Sequence, residues 1–187
     1  MRLNQQTDFT DLTNMKVAII SDTHEQLSDQ VKVLADTCDL VIHAGDIGSS
    51  AVLESLQPKT GHVIAVAGNN DKPYLWDFKD WDLVKNLPVI QQLQLPGGRV
   101  AIEHGHKHDM YLPEHNDLRN AHPDVRLVIY GHTHIQLIDQ QNPGLHVLNP
   151  GAAGFTRNKG GPSCIILSID GDNWQYQMFK FADEEAS

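Results

Sequence analysis

Three short apolar runs, Lys16 to Ile20, Leu40 to Ile42 and Val63 to Ala67, alternate with two stretches whose apolar residues return at helical spacing. Short runs rich in Val, Ile and Leu suit strands buried on both faces. Between the first two, Leu27, Val31 and Leu34 predict a helix over Leu27 to Thr37. Between the second and third, Val52, Leu53 and Leu56 mark the inner face of Ser49 to Leu56, with Pro58 beyond its end. A β-α-β-α-β order of this kind implies parallel strands joined by right-handed crossovers. Such a sheet gathers the loops after its strands along one edge, where ligands usually bind.

Those loops carry the chemistry. The first strand ends in Ser21-Asp22-Thr23-His24-Glu25, the second in His43-Ala44-Gly45-Asp46, the third in Gly68-Asn69-Asn70-Asp71. Farther on, Val89 to Leu95 and Arg99 to Ile102 flank Pro96-Gly97-Gly98, a hairpin signal, and lead into Glu103-His104-Gly105-His106. A polar, helix-compatible stretch runs to His122-Pro123. The strand Leu127 to Tyr130 then enters Gly131-His132-Thr133-His134. If strand geometry persists, His132 and His134 share a face, and Gly131 permits a sharp change of direction before them. Ile135 to Asp139, Leu145 to Leu148, Cys164 to Ile169 and Trp174 to Phe181 read as four further strands. Tyr74 to Pro88, with Trp76 and Trp81, fits a helix and a packed loop equally; exposed, the two tryptophans would suit a homo-oligomer interface.

Converging loops therefore offer seven nitrogen and oxygen donors: Asp22, His24, Asp46, Asn69, His104, His132 and His134. With no thiolate among them, the set suits Mn, Fe, Zn or Ni and disfavours a cysteine zinc site or an all-oxygen calcium cage. Seven donors exceed one tetrahedral ion and suit two ions sharing a carboxylate. Cations roughly 3.5 to 4 Å apart can activate water and clamp a phosphate between them. Asp46, between the two ligand sets in sequence, is the natural bridge.

At 187 residues with 40% hydrophobic content, residues 15 to 187 suit one domain with a sizeable core. A formal net charge of -10 argues against a broad basic face for duplex nucleic acid. Cys38 and Cys164 form no C-x-x-C pair and read as buried thiols in a reducing compartment. Residues 1 to 14 are mostly polar, lack a basic secretion leader, and read as a flexible extension. No apolar run approaches a membrane span. Together these features predict a cytoplasmic protein.

The segments Asp22-x-His24, Gly45-Asp46, Gly68-Asn69-x-Asp71, His104-Gly105-His106 and Gly131-His132-x-His134, in this order, resemble the calcineurin-like metallophosphoesterases. The short chain and Asn149-Pro150-Gly151-Ala152 after a late strand make it most similar to the small YfcE-type phosphodiesterases. The resemblance implies a metallo-dependent phosphatase-like α/β fold, a four-layer α-β-β-α sandwich of two mixed sheets flanked by helices. It assigns one divalent ion to Asp22, His24, Asp46 and His134, and another to Asp46, Asn69, His104 and His132, with manganese leading over Ni, Fe and Zn. It further implies hydrolysis of a phosphodiester, or also a phosphomonoester, of a small molecule or nucleotide by a bridging hydroxide without a covalent enzyme intermediate. Asp46 and Asn69 count as catalytic on this basis.

Many relatives carry a histidine where this chain has Asn70, which leaves His106 as the candidate acid for the leaving group. Asn70, Asp71 and Arg157 are candidate substrate contacts, Arg157 in a Gly-rich loop with Lys159. An Asp in such a turn also commonly caps backbone groups, so a structural role stays open for Asp71. His43 beside the second loop suits a hydrogen bond to a ligand better than ligation. His62, His108, His115, His122 and His146 lack motif support. Two alternative functions stay in view. One is a non-catalytic scaffold, as in a trafficking-complex subunit of this fold that has lost ligands. The other is a nuclease for single strands, which the acidity disfavours.

Overall fold

Along the strand Asn14–Ile20 the side chains alternate between two cores. Val17 and Ile19 face one, Ala18 and Ile20 the other. That alternation, repeated through a second sheet, makes four layers in the structure, a computed structural model that describes residues 2–4, 9 and 12–183.

The strands are β1 (Arg2–Leu3), β2 (Asn14–Ile20), β3 (Leu40–His43), β4 (His62–Ala65), β5 (Ile90–Leu95), β6 (Gly98–Glu103), β7 (Leu127–Ile129), β8 (Leu137–Asp139), β9 (His146–Asn149), β10 (Ser163–Asp170) and β11 (Asn173–Lys180). The helices are α1 (Asp29–Asp36), α2 (Ser50–Ser55), α3 (Trp81–Asn86) and α4 (His115–Ala121). The first sheet runs β1-β4-β3-β2-β10-β11, with β1 to β4 mutually parallel and the last two strands antiparallel. The second runs β5-β6-β7-β9-β8, parallel through β6, β7 and β9.

Between the sheets, Val17, Ile19, Ile42 and Ile64 pack with Leu95, Val100, Ile102, Ile129 and Leu148. On the outer face of the first sheet, Ile20, Val41, Val63 and Ile166 meet Val31 and Ala35 of α1, Val52 and Leu53 of α2 and Val84 of α3. Outside the second sheet, Ala101, Val128 and Val147 pack with Leu118 of α4. The expected α-β-β-α order of two mixed sheets is the observed one. Cys38 and Cys164 are buried free thiols. Among the described residues no helix is long and apolar enough to cross a membrane.

Two expectations change. Within the stretch read as a flexible extension, Arg2–Leu3 pairs with β4, Phe9 is buried in the central core, and Asn14 already lies in β2. The Asn4 amide also donates to Ala65 O and accepts from Ala65 N–H at 2.9 and 2.8 Å. An edge strand and a buried ring tie down a segment whose polar composition concealed both; residues 1, 5–8, 10 and 11 lie outside the described set. The ambiguous Tyr74 to Pro88 stretch is neither one helix nor a plain loop. It holds 3-10 turns at Pro73–Leu75 and Phe78–Asp80, followed by α3. Trp76 is buried in the outer core, and the Trp81 indole N–H donates to Trp76 O, so the pair does not form an exposed interface.

Candidate metal centre

The loops after β2 and β3 are laced together beyond the ends of their strands. Asp22 N–H donates to Gly45 O at 3.0 Å, His24 N–H to Asp46 O at 3.0 Å and Glu25 N–H to Ile47 O at 2.9 Å. Asp71 ties in the third loop: its carboxylate accepts from the N–H groups of Gly68, Ile47 and Gly48 at 2.8 to 3.1 Å. Both oxygens are thereby engaged and the side chain is buried, so Asp71 clamps two loops and stands outside the cavity lining.

Five of the seven expected ligands, Asp22, His24, Asp46, His132 and His134, have φ between +45° and +70°. Such conformations cost about 1–3 kcal/mol each outside glycine and gather at functional sites. They also replace the geometry expected for the histidine pair. β7 stops at Ile129, and His132 and His134 converge because both backbones are left-handed, not because a strand carries them. Gly131 has a different task from turning the chain. A Cβ there would stand 1.9 Å from Ser21 Oγ and 2.8 Å from Asp22 Oδ2, so glycine lets the second sheet's loop close onto the first.

The donor atoms meet in two overlapping groups, Asp22 with His24 and His134, and Asp22 with Asp46 and His104, each within 4.8 Å. Asp46 Oδ2 lies 3.3 Å from His104 Nε2 and 3.8 Å from His24 Nε2; Asp22 Oδ1 lies 3.3 Å from His134 Nε2. Both carboxylates thus stand between the two groups. His132 and Asn69 adjoin them as a pair, Nδ1 to Oδ1 at 3.0 Å.

The backbone decides which ring nitrogens point inward. His104 Nδ1 is bound to Ala44 O at 2.8 Å and His134 Nδ1 to Thr156 O at 2.9 Å, so each ring turns its Nε2 to the centre, where it offers a lone pair once the ring is neutral. His132 faces carbonyl oxygens on both sides, Met110 O at 2.9 Å and Asn69 Oδ1, yet a neutral ring has one N–H. Asp22 Oδ1 and His104 Nε2 are buried and make no hydrogen bond. Carboxylate oxygens and imidazole nitrogens gathered this closely fit a divalent metal once the rings are neutral.

The charges agree. Burial pushes the Asp22 carboxyl up to about 7, partly offset by His104. Burial disfavours charge on His104 too, but the Asp46 and Asp22 carboxylates more than compensate and raise it to about 9. Asp46 is also buried, yet His104 and the backbone and side-chain N–H of Asn70 hold it below the usual carboxylate range. Asn70 donates from N to Oδ1 at 2.8 Å and from Nδ2 to Oδ2 at 2.6 Å, so it orients Asp46 as well as facing the cavity above.

That cavity, about 490 Å³, opens over Asp46, Asn69, His132 and His134, with Arg157 and Lys159 on its wall. Arg157 reaches within 3.4 Å of His134 Nε2. His106 is placed otherwise than its motif suggested. β6 ends at Glu103, Gly105 is left-handed, and the His106 ring packs beside His104 and His132 at 5.5 and 6.2 Å without lining the cavity. Burial, with the His104 charge next, lowers its pKa to about 4, which disfavours the imidazolium form.

The model of the calcineurin-like phosphoesterase superfamily domain matches residues 15–172. The chain belongs to this superfamily. A phosphodiesterase of Methanocaldococcus jannaschii is 31% identical over 147 residues, 73% of this chain and 83% of that one. Among solved structures, Vacuolar Protein Sorting 29 from Cryptosporidium parvum covers 91% of this chain and 100% of its own at 20% identity and a TM-score of 0.69. YfcE, a phosphoesterase from E. coli, covers 89% of this chain and 99% of its own at 21% identity and a TM-score of 0.57. At such identities these two share the calcineurin-like fold and carry no more.

Within this phosphoesterase site, sequence reasoning assigned no role to Asn149. Its Nδ2 donates to Gly131 O and Thr133 Oγ1 at 2.6 and 3.0 Å, and its Oδ1 accepts from Gly151 N–H at 2.9 Å. A buried Asn before Pro-Gly at a strand end was the available signal. His43 stays outside the donor groups, but it bonds Thr23 Oγ1 at 2.9 Å and Gly45 N–H at 3.3 Å rather than a ligand side chain. Of the unassigned histidines, His108 and His122 flank the Glu103 carboxylate, His115 bonds Asp139 and the Tyr130 hydroxyl, and His146 bonds Tyr176; His62 packs edge-on to Phe9.

Proposed function

We propose that this phosphoesterase binds two divalent metal ions, manganese foremost, and hydrolyses phosphodiesters of small molecules. The observation that carries the reading is the crowding of carboxylate oxygens and imidazole nitrogens within 4.8 Å of one another, with Asp22 Oδ1 and His104 Nε2 buried without hydrogen-bond partners. Asp22, His24, Asp46 and His134 would hold one ion, and Asp46, Asn69, His104 and His132 the other, with Asp46 shared. Ions bound there would supply an acidified water at neutral pH and positive charge for the phosphate oxygens.

This chain's residues do the rest. Ala44, Thr156 and Met110 carbonyls fix the imidazoles, and Asn70 fixes the Asp46 carboxylate, so that little reorganisation remains when charge develops. Arg157 and Lys159 offer donors to phosphate oxygens at the cavity wall. Water delivers its OH to phosphorus and its remaining proton to the departing ester oxygen. An interaction scaffold has no use for seven retained donors, five of them in left-handed strain. A nuclease reading lacks a basic stripe, since the cavity shows two cations on an acidic chain.

The test is hydrolysis of bis(p-nitrophenyl) phosphate after metal reconstitution, with metal counted by mass spectrometry. Two ions per chain and turnover lost by more than about tenfold, or ~1.4 kcal/mol, in Asp46→Asn are expected. One ion per chain at saturation, or an active Asp46→Asn, contradicts the shared-carboxylate site.

A further inference from the structure

The stripe that α4 turns toward the second sheet is mostly polar. His115, Leu118, Arg119 and His122 stand at i, i+3, i+4 and i+7, the spacing of one helix face, yet Leu118 is the one buried apolar side chain that the helix brings to the sheet. The imidazole at each end is spent on a group at the end of a strand. Glu103 Oε1 accepts from His122 Nε2 at 3.0 Å, and the same carboxylate accepts from His108 Nε2 at 3.0 and 3.2 Å. His115 Nδ1 bonds Asp139 Oδ2 at 2.6 Å, which leaves Nε2 for the Tyr130 hydroxyl at 3.2 Å. Arg119 steadies this end, with Nη2 2.6 Å from Asp139 Oδ2 and Nε donating to Leu145 O at 3.2 Å.

Glu103 and Tyr130 are neighbours across the sheet, each one residue past the registered pair Ile102 and Ile129 of the parallel strands β6 and β7. Both are buried. Directly after them the chain delivers His104 in one case and Gly131-His132 in the other. A buried polar tie of this kind is seldom worth more stability than the apolar side chains that could replace it, whereas its hydrogen bonds specify one geometry. We infer that α4 is a clasp whose two end imidazoles are positioning residues for the second ion: His122, through Glu103, sets His104, and His115, through Tyr130, sets His132. The Tyr130 hydroxyl also stands beside Asn149 and Thr133, and Asn149 Nδ2 donates to Gly131 O at 2.6 Å, so the tie continues into the ligand loop. The first ion's ligands are held elsewhere, His134 by Thr156 O and Asp22 and His24 by the backbone of the loop after β3. The clasp rests on the two-ion reading for its effect, but its ties are a matter of geometry.

Calorimetric titration of manganese into the metal-free full chain reads the binding steps, and the step lost in Asn69→Ala identifies the second ion. In His122→Leu that step should weaken by about tenfold or more, the scale of losing a group that orients a ligand, with the other step within about threefold of wild type. His122→Gln keeps a donor where Nε2 stood and should return the second step to within about threefold of wild type. Tyr130→Phe, which removes one oxygen, should weaken the same step. Loss spread equally over both steps overturns the clasp and makes α4 a packing element; so does a His122→Gln as weak as His122→Leu. If His122→Leu does not fold, Tyr130→Phe decides on the same measure. A wild type that takes two ions, with both steps unchanged in the variants, removes the clasp and leaves the two-ion reading standing. A wild type that saturates at one ion removes that reading. The clasp then holds if His122→Leu weakens that ion and His122→Gln restores it, and falls if not.

Discussion

Asp22 and His104 hold protons that a divalent ion must displace. Their folded pKa values, raised to about 7 and about 9, mean that at pH 6 both sites are largely protonated and lose those protons as pH rises. Because ligands bind metal in their deprotonated form, affinity should rise between about pH 6 and pH 9, with proton release. Titrating metal in buffers of different ionisation enthalpy measures both; a pH-independent affinity would contradict the assignment. His106, half-buried beside two ligand rings, should act through packing alone. His106→Gln is expected to slow nitrophenyl and alkyl diesters by the same factor, whereas an acid role would penalise the alkyl diester by about tenfold more. Residue identities at the site were legible because strand ends and Asp, Asn and His spacing are sequence properties. The left-handed backbones of five donors were not, since φ is imposed by the loops closing on one another and not by Asp or His themselves.

At the level of elements, the strands could be read from apolar runs and turn residues, and β5-β6 from its Pro-Gly-Gly hairpin. Their ends were harder. β6 and β7 stop one residue before His104 and two before Gly131, and the chemistry begins where the period stops. Tyr74 to Pro88 has no sustained period to read, because consecutive 3-10 turns and a six-residue helix each bury a different side. Nor could contact between distant loops be read. Gly131→Ala should therefore be costly although alanine suits most backbones. Its methyl meets the Ser21 hydroxyl at 1.9 Å, so the β7 loop must back away. A loss of about 1–3 kcal/mol in urea denaturation, together with weaker metal binding, is expected. Unchanged stability would mean that the two loops are not in close contact.

For the whole molecule, the site is a joint between sheets. Asp22, His24, Asp46 and Asn69 follow strands of the first sheet, and His104, His132 and His134 follow strands of the second. Metal bound to the folded state alone should stabilise the entire domain by about 2.7 kcal/mol at a hundred times its Kd. For a chain of this size that is a rise in Tm of roughly 5–10 °C. Scanning calorimetry with and without manganese reads it directly, and a metal-independent Tm would deny that the ions join the two halves.

The return of β10 to lie against β2 has a consequence in time. Asn14 pairs with Asp170 and Ile19 with Ile165, so the sheet that carries the first four donors is completed only by residues made long after them. Pairings this distant in the chain are slow to form. Until they do, β2 has an unpaired edge open to other chains. Dilution and chaperone supply during synthesis should therefore govern the yield of this protein more strongly than its final stability does, and a nascent chain halted before β10 should aggregate.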